Sequence, residues 1–92
     1  MINAAKLKDK IASLPDTSGV YIFKDSQGQI LYVGKAKALK KRVQYYFSRP
    51  LDSKTQAMVF KIADMEYRLT SSVSQAQLLE ASLIKDKQPP YN

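Results

Sequence analysis

Two short triplets, Gly19-Val20-Tyr21 and Tyr32-Val33-Gly34, contain the residues whose types first suggest chemistry. Side chains two positions apart on a strand share one face of a sheet, so pairing of the triplets would bring Tyr21 and Tyr32 together. A phenol pair can orient a water molecule, and a nearby cation makes a phenolate more accessible. Half-buried tyrosines are also common in strands, so a purely structural role is the more frequent explanation of such a pair.

A basic stretch follows the second triplet and contains no acidic residue. Its cations are Lys35, Lys37, Lys40, Lys41, Arg42 and Arg49. Arg42 and Tyr46 lie four positions apart, which makes them neighbours on one flank of a helix. A guanidinium suits bidentate contact with a phosphate, and the adjacent Tyr45 and Tyr46 can stack on bases. A solvated basic helix face explains the same pattern, but the absence of a balancing acid favours phosphate binding.

One carboxylate, Glu80, lies beside the apolar stripe of the last predicted helix. No residue three or four positions away on that helix is a cation, so nothing local neutralises it. An inward-facing carboxylate needs a cation or hydrogen-bond donors. One carboxylate with several waters is the usual way in which proteins hold Mg²⁺, but a lysine or arginine from another element would satisfy Glu80 equally well.

The composition excludes several classes of site. With no cysteine and no histidine, the chain can form neither a disulfide nor a thiolate or imidazole metal site, and any general base must be another group. The formal net charge of +7 suits a nucleic acid or an anionic membrane surface as partner.

No apolar run approaches the roughly 20 residues of a membrane span, and the N-terminus does not have the pattern of a secretory signal. We therefore expect a cytoplasmic location.

Hydrophobic periodicity predicts the elements that position these residues, in the order α-β-β-α-α-β-α. Helices are expected at 3–13, 38–47, 53–63 and 73–87, and strands at 19–24, 29–34 and 65–70. The fold class is therefore α/β (α+β), with a small three-stranded antiparallel sheet flanked by helices. The length suits a single domain over residues 1–92.

Side-chain patterns within these elements give more detailed expectations. Ser53 is a plausible helix cap, and Ser72 with Gln75 forms a capping-box pattern. The expected inward stripes are Leu39, Val43 and Phe47 on the second helix and Ala76, Leu79 and Leu83 on the last helix. On the third strand, Met65, Tyr67 and Leu69 are expected to face the core, and Glu66 and Arg68 the solvent.

In this order and spacing, the residues resemble the GIY-YIG nuclease family, and more closely its UvrC-type excision-repair branch. The closer likeness is carried by 32–37 with Leu39 and Arg42, by 79–81 running into 83–85, and by 90–92 at the end of the chain. Valine stands where isoleucine is usual in both triplets. Ser82 replaces a frequent asparagine and Pro90 a usual basic residue, and the second change puts a phosphate contact near Asn92 in doubt.

The resemblance implies a metal-dependent endonuclease that hydrolyses a phosphodiester on the 3′ side of a lesion in damaged double-stranded DNA. Glu80 would hold a single Mg²⁺ or Mn²⁺, and Tyr21 or Tyr32 would position or deprotonate the attacking water. Lys35 would lower the proton affinity of that phenol. Arg42, supported by Tyr46, would neutralise charge on the scissile phosphate, and Asn92 matches a terminal asparagine near the site. Lys37, Lys40, Lys41 and Arg49 would contact DNA.

The resemblance also implies an excised piece of a longer multidomain protein. That protein would meet the other subunits of a repair complex, including a UvrB-type helicase subunit, through segments outside this chain, and the domain itself would be monomeric. Two other functions fit the same residues. One is a stand-alone GIY-YIG nuclease, of the homing or structure-specific kind, and the other is a non-catalytic nucleic-acid-binding module with the same fold.

Overall fold

The computed structural model describes residues 4–92. The elements are α1 (Ala4–Ala12), β1 (Gly19–Lys24), β2 (Ile30–Ala36), α2 (Leu39–Ser48), α3 (Ser53–Lys61), β3 (Asp64–Leu69) and α4 (Val73–Lys87). The predicted order and the three-stranded sheet are confirmed, and β1 and α4 have the predicted bounds. Residue 3, expected to begin the first helix, lies outside the described residues. No helix within 4–92 is long and apolar enough to cross a membrane.

The sheet is antiparallel, with β1 in its centre and the order β2-β1-β3. β1 is apolar along nearly its whole length and is buried from Gly19 to Phe23. This fits its central position, because helices cover both faces. The register opposes Tyr21 to Gly34 and Phe23 to Tyr32. The two triplets are therefore cross-strand neighbours, as the sequence indicated.

Each face of the sheet has its own apolar cluster. One face carries Tyr21, Phe23 and Met65, which pack with Leu39 and Val43 of α2 and with residues of α1 and α3. The other carries Val20, Ile22 and Val33, which pack under α4 around Ala76, Leu79 and Leu83. The predicted inward stripe of α4 is thus confirmed. The alternation of side chains along β1 and β2 sends the tyrosines to the first face and the valines to the second.

Gly34 lies directly under the ring of Tyr21. A β-carbon at position 34 would overlap the ring and hydroxyl of Tyr21. Gly19 is similarly confined, because a β-carbon there would meet the backbone of Arg68 and lie 2.7 Å from Leu39 Cδ1. The glycines of both triplets are thus required by close packing on the sheet.

Three expectations about side-chain positions were wrong. Phe47 is 41% exposed, whereas Tyr46 is only 6% exposed, because the inward stripe of α2 continues at i+7 rather than at i+8. The cap of α3 is Asp52, whose carboxylate accepts a hydrogen bond from Thr55 N, and not Ser53. On β3, Met65 is buried, but Tyr67 and Leu69 are exposed, because β3 is an edge strand whose second half has no helix over it.

Replacing Gly34 by alanine should lower the free energy of unfolding by about 1–3 kcal/mol, the usual cost of overpacking a filled core. Gly28 offers a control, because nothing lies within 4 Å of its β-carbon position and its φ is +80°. Asparagine tolerates that conformation, so Gly28→Asn should cost much less. Urea unfolding of both variants measures the difference, and equal losses would contradict a specific clash at Gly34.

Candidate active site

Three tyrosines from three elements form one cluster on the first face of the sheet. The ring centroids are 6.2 Å apart for Tyr21 and Tyr32, 5.8 Å for Tyr21 and Tyr46, and 6.4 Å for Tyr32 and Tyr46. The hydroxyls of Tyr21 and Tyr46 share a buried hydrogen bond of 2.8 Å. The expectation that Tyr21 and Tyr32 stand together is met, and Tyr46 joins them from α2.

Burial of the cluster keeps its phenols protonated. Burial raises the pKa of Tyr32 to about 12, and the charge and hydrogen bonding of Tyr46 and the charge of Glu80 act in the same direction. Burial also raises the pKa of Tyr21 strongly, together with its hydrogen bond to Tyr46. The cation that opposes these effects at both phenols is Arg42. Tyr32 is therefore the more easily ionised of the two expected base candidates.

Arg42 lies on the flank of α2 that borders the tyrosine cluster. Its guanidinium carbon is 5.4 Å from the ring centroids of both Tyr45 and Tyr46. A hydrogen bond to Tyr21 raises the pKa of Arg42 further, although that pKa is already high. The side chain is largely exposed, so its remaining donors can reach a ligand. This is the neighbourhood that the spacing of Arg42 and Tyr46 indicated.

Glu80 lies on α4, which covers the other face of the sheet. Its side chain is 18% exposed, and Lys35 Nζ lies 3.6 Å from Glu80 Oε1. That distance makes an ion pair but is too long for a good hydrogen bond. The charge of Glu80 raises the pKa of Tyr32. The sequence left open whether a metal ion or a cation from another element satisfies Glu80. The structure provides the second, because Lys35 of β2 pairs with Glu80. The carboxylate oxygens still have lone pairs for a further ligand.

Lys35 therefore makes a different contact from the expected one. Lys35 shares the β2 face of Val33, so its ammonium reaches α4 and pairs with Glu80. The expectation was that Lys35 would lower the proton affinity of a phenol. In the structure, Arg42 is the cation whose charge and hydrogen bond lower the pKa values of Tyr21 and Tyr32.

The donors around Glu80 fit a hard divalent cation. Within residues 4–92 no group of three or more histidine, cysteine, aspartate or glutamate side chains surrounds a common point. A site with one carboxylate is suited to Mg²⁺ or Mn²⁺, which keep several water ligands, and not to an ion that needs a protein cage. Glu80 is the carboxylate for which the sequence predicted this role.

Asn92 closes the outer edge of β2. Its side-chain oxygen accepts a hydrogen bond of 2.9 Å from Val33 N, and its amide nitrogen donates one of 2.8 Å to Val33 O. Tyr91 N donates to Leu31 O at 3.0 Å. The residues on both sides of Tyr32 are thus held by the end of the chain. Asn92 lies near the site, as expected, but both of its polar atoms contact the backbone.

An open basic cleft of about 410 Å³ adjoins the cluster at Arg42. Its charged lining residues are Lys35, Lys37, Lys41 and Arg42, and Tyr45 forms one wall. Arg49 stacks on that wall, with its guanidinium carbon 4.4 Å from the Tyr45 ring centroid. Lys40 does not line the cleft. The stretch has no acid of its own, but Asp16 lies 3.7 Å from Lys41 Nζ.

A second pocket, next to Tyr32 and Tyr46, was missed by sequence reasoning. It has a volume of about 180 Å³ and is lined by Tyr32, Tyr46, Lys54, Thr55, Met58 and Tyr91. Residues from α3 and from the end of the chain meet β2 there only through tertiary packing. The basic charge of Lys54 was the one signal that pointed to it.

Comparison with known families decides what this arrangement belongs to. The family model for the UvrC-like GIY-YIG domain matches residues 17–92. The chain belongs to that family. The UvrABC system protein C of Desulfitobacterium hafniense strain Y51 is 51% identical over 90 residues, which are 98% of this chain and 15% of that protein. This member of the UvrC-like GIY-YIG family thus spans about one-seventh of the length of that relative.

Solved structures agree with the assignment. The GIY-YIG N-terminal endonuclease domain of UvrC from Thermotoga maritima, bound to its catalytic magnesium, matches with a TM-score of 0.87 and 36% identity, over 98% of this chain and 99% of that one. A point mutant of the same domain, bound to its catalytic divalent cation, matches with the same TM-score and 34% identity, over 98% of each chain. The GIY-YIG fold expected from the sequence is confirmed, and the expected endonuclease class and divalent cation are those of these structural relatives.

Removing the Tyr46 hydroxyl should lower the pKa of Tyr32 from about 12 towards the ordinary value of 10.0, because Tyr46 raises it through its charge and a hydrogen bond. A raised native pKa means that stability is lost as the pH rises from 10.0 to about 12. In Tyr46→Phe this loss of stability should end at a lower pH. NMR titration of the tyrosine ring signals measures the pKa of Tyr32, and Tyr67→Phe, which changes an exposed tyrosine, is the control. A Tyr32 pKa that is unchanged in Tyr46→Phe would contradict the coupling.

Proposed function

We propose that this chain is a divalent-metal-dependent DNA endonuclease domain that hydrolyses a phosphodiester on the 3′ side of a lesion during excision repair. The observation that carries the proposal is the packing of Tyr32 against Tyr21 and Tyr46, with the guanidinium of Arg42 5.4 Å from the Tyr46 ring centroid. The charges of Arg42 and Glu80 both act on the pKa of Tyr32. A water-activating phenol, a phosphate-binding cation and a metal-binding carboxylate are the parts that phosphodiester hydrolysis needs.

Glu80 would hold the metal, which when bound supplies Lewis-acid polarisation of a phosphate oxygen and a more acidic water. Lys35 Nζ lies 3.6 Å from Glu80 Oε1. Lys35 would act as a positioning residue that holds the mostly buried carboxylate in place until the metal binds.

Tyr32 is the phenol placed to act on the attacking water. It is only partly buried and lies near Glu80, whereas Tyr21 is 1% exposed and its hydroxyl is engaged by Tyr46. With a pKa of about 12, only roughly one Tyr32 in 10⁵ is a phenolate at pH 7. As a neutral phenol, Tyr32 would orient the attacking water by hydrogen bonding. It would accept the water proton only in its minor phenolate form, after its own proton has passed to solvent. Tyr21 and Tyr46, joined by their shared hydrogen bond, would orient the side chain of Tyr32.

Arg42 would neutralise the charge that builds on the scissile phosphate. Its exposed guanidinium lies over the Tyr46 ring, with the guanidinium carbon 5.4 Å from the ring centroid. The basic cleft beside it would hold the flanking DNA backbone, with Lys37 and Lys41 inside the cleft and Lys40 and Arg49 on its surroundings. Asn92 would act as a positioning residue that holds the β2 backbone on which Tyr32 stands.

The cellular setting belongs to the same proposal. The D. hafniense relative is a protein of the UvrABC system. By analogy this domain would act in the cytoplasm on damaged double-stranded DNA. It would be a monomeric unit of a longer protein that meets a UvrB-type helicase subunit through other segments. A stand-alone nuclease would use the same residues, whereas a non-catalytic binding module would have no need for a carboxylate beside the phenol.

The metal site can be tested with the two glutamates of the chain. Adding Mn²⁺ to isotope-labelled protein should broaden NMR signals around Glu80 and Tyr32, and Glu80→Gln should remove this broadening. Glu66→Gln is the matched control. Glu66 lies on β3 and pairs with Lys24 of β1 at 2.9 Å, so this substitution should leave the broadening intact. Broadening that survives in Glu80→Gln would place the metal elsewhere and favour the binding-module function.

Replacing Arg42 by alanine should lower the rate of DNA incision by roughly 10² or more, the usual loss when a preorganised charge on the transition state is removed. The rate should be measured under saturating DNA in the longer multidomain protein expected for this family. Arg68→Ala, which removes an exposed arginine of β3, is the control and should keep its rate. An unchanged rate in Arg42→Ala would assign the phosphate to another cation.

A further inference from the structure

The 180 Å³ pocket beside Tyr32 and Tyr46 has no part in the mechanism above, yet it shares two walls with the site. Its members Lys54, Thr55 and Met58 come from α3, and Tyr91 comes from the end of the chain. Ligand pockets for whole small molecules occupy roughly 300–1,000 Å³. This one is smaller, so it suits a phosphate with part of a sugar and not a free nucleotide.

The chemistry of the pocket points to an anion. Lys54 is its one charged lining residue, and within residues 4–92 no carboxylate lies within ion-pair distance of Lys54. The other polar lining residues are Tyr32, Tyr46, Thr55 and Tyr91. The hydroxyls of Tyr46 and Thr55 are already bonded to Tyr21 and Asp52. A second cation, Lys61, lies 5.4 Å from the Tyr91 ring centroid. An exposed lysine with no carboxylate partner can contact a phosphate oxygen.

The pocket and the basic cleft adjoin through Tyr46. Tyr46 lines the pocket, and the guanidinium of Arg42, which lines the cleft, lies 5.4 Å from its ring centroid. A DNA strand whose scissile phosphate reaches Arg42 and Tyr32 therefore borders both the cleft and the pocket.

We propose that this pocket binds the backbone phosphate and sugar of the nucleotide next to the scissile phosphodiester, with Lys54 contacting the phosphate. The inference rests on the proposed function and extends it to a second backbone contact. The proposal does not use the N-terminus of α3 as an anion site. There the Asp52 carboxylate already accepts hydrogen bonds from the backbone N–H of Thr55 at 3.1 Å and from the Thr55 hydroxyl at 2.6 Å.

The test is the salt dependence of DNA binding by this chain in the presence of EDTA, with a short single-stranded oligonucleotide as probe. Loss of one phosphate contact should reduce the slope of log affinity against log salt by about 0.7. Lys54→Ala should show that reduction, and Lys54→Arg should retain the wild-type slope. Lys8→Ala, on α1, is the charge-matched control and should leave the slope unchanged. Lys41→Ala reports on the basic cleft.

The outcomes separate this inference from the proposed function. A reduced slope in both Lys54→Ala and Lys41→Ala, with Lys8→Ala unchanged, supports two backbone contacts. A reduced slope in Lys41→Ala alone overturns the pocket assignment and leaves the nuclease proposal standing. Unchanged slopes in both overturn the pocket assignment and the flanking contact of Lys41, and leave the nuclease proposal to be decided by Arg42→Ala. As a check on location, oligonucleotide binding should shift the Met58 methyl NMR signal in wild type but not in Lys54→Ala.

Discussion

The packing of the Tyr21 ring on Gly34 is the contact on which the arrangement of the site depends. The ring occupies the space where any side chain at position 34 would lie, so β1 and β2 meet without a gap. From there the Tyr21 hydroxyl reaches Tyr46 at 2.8 Å, which fixes α2 against the sheet. Arg42 is one turn before Tyr46, so the same contact places the backbone of Arg42 beside the cluster.

A second constraint comes from the edge of β2. Edge strands leave backbone groups unpaired, and here Tyr91 and Asn92 satisfy those of Leu31 and Val33. The residue between these two is Tyr32, whose side chain takes part in the site. The opposite face of β2 carries Lys35 to Glu80 on α4. Both faces and the edge of this one strand therefore each carry a residue of the candidate site.

Much of this was predictable from sequence where the signal is local. The bounds of β1 and α4 follow from periodicity and from the Ser72 cap, which accepts a hydrogen bond from Gln75 N. Tyr46 was placed beside the arginine but not recognised as the inward residue, because a stripe at i+8 and one at i+7 differ by a single position. The partners of Lys35, Asn92 and Lys54 depend on how α3, α4 and the chain end pack, which no local pattern encodes.

The electrostatics of the cluster bear on the role proposed for Glu80. Burial raises the pKa values of Tyr21 and Tyr32, and Arg42 is the cation that works against this effect. A phosphate bound at Arg42 would offset its positive charge and raise the phenol pKa again. In the proposed mechanism, binding of substrate would therefore not by itself activate Tyr32. Positive charge at Glu80 acts in the opposite sense, because a bound divalent ion is the largest local charge in such a site. Glu80 lies close enough for its own charge to raise the pKa of Tyr32, so a cation held there would reverse that effect on the same group.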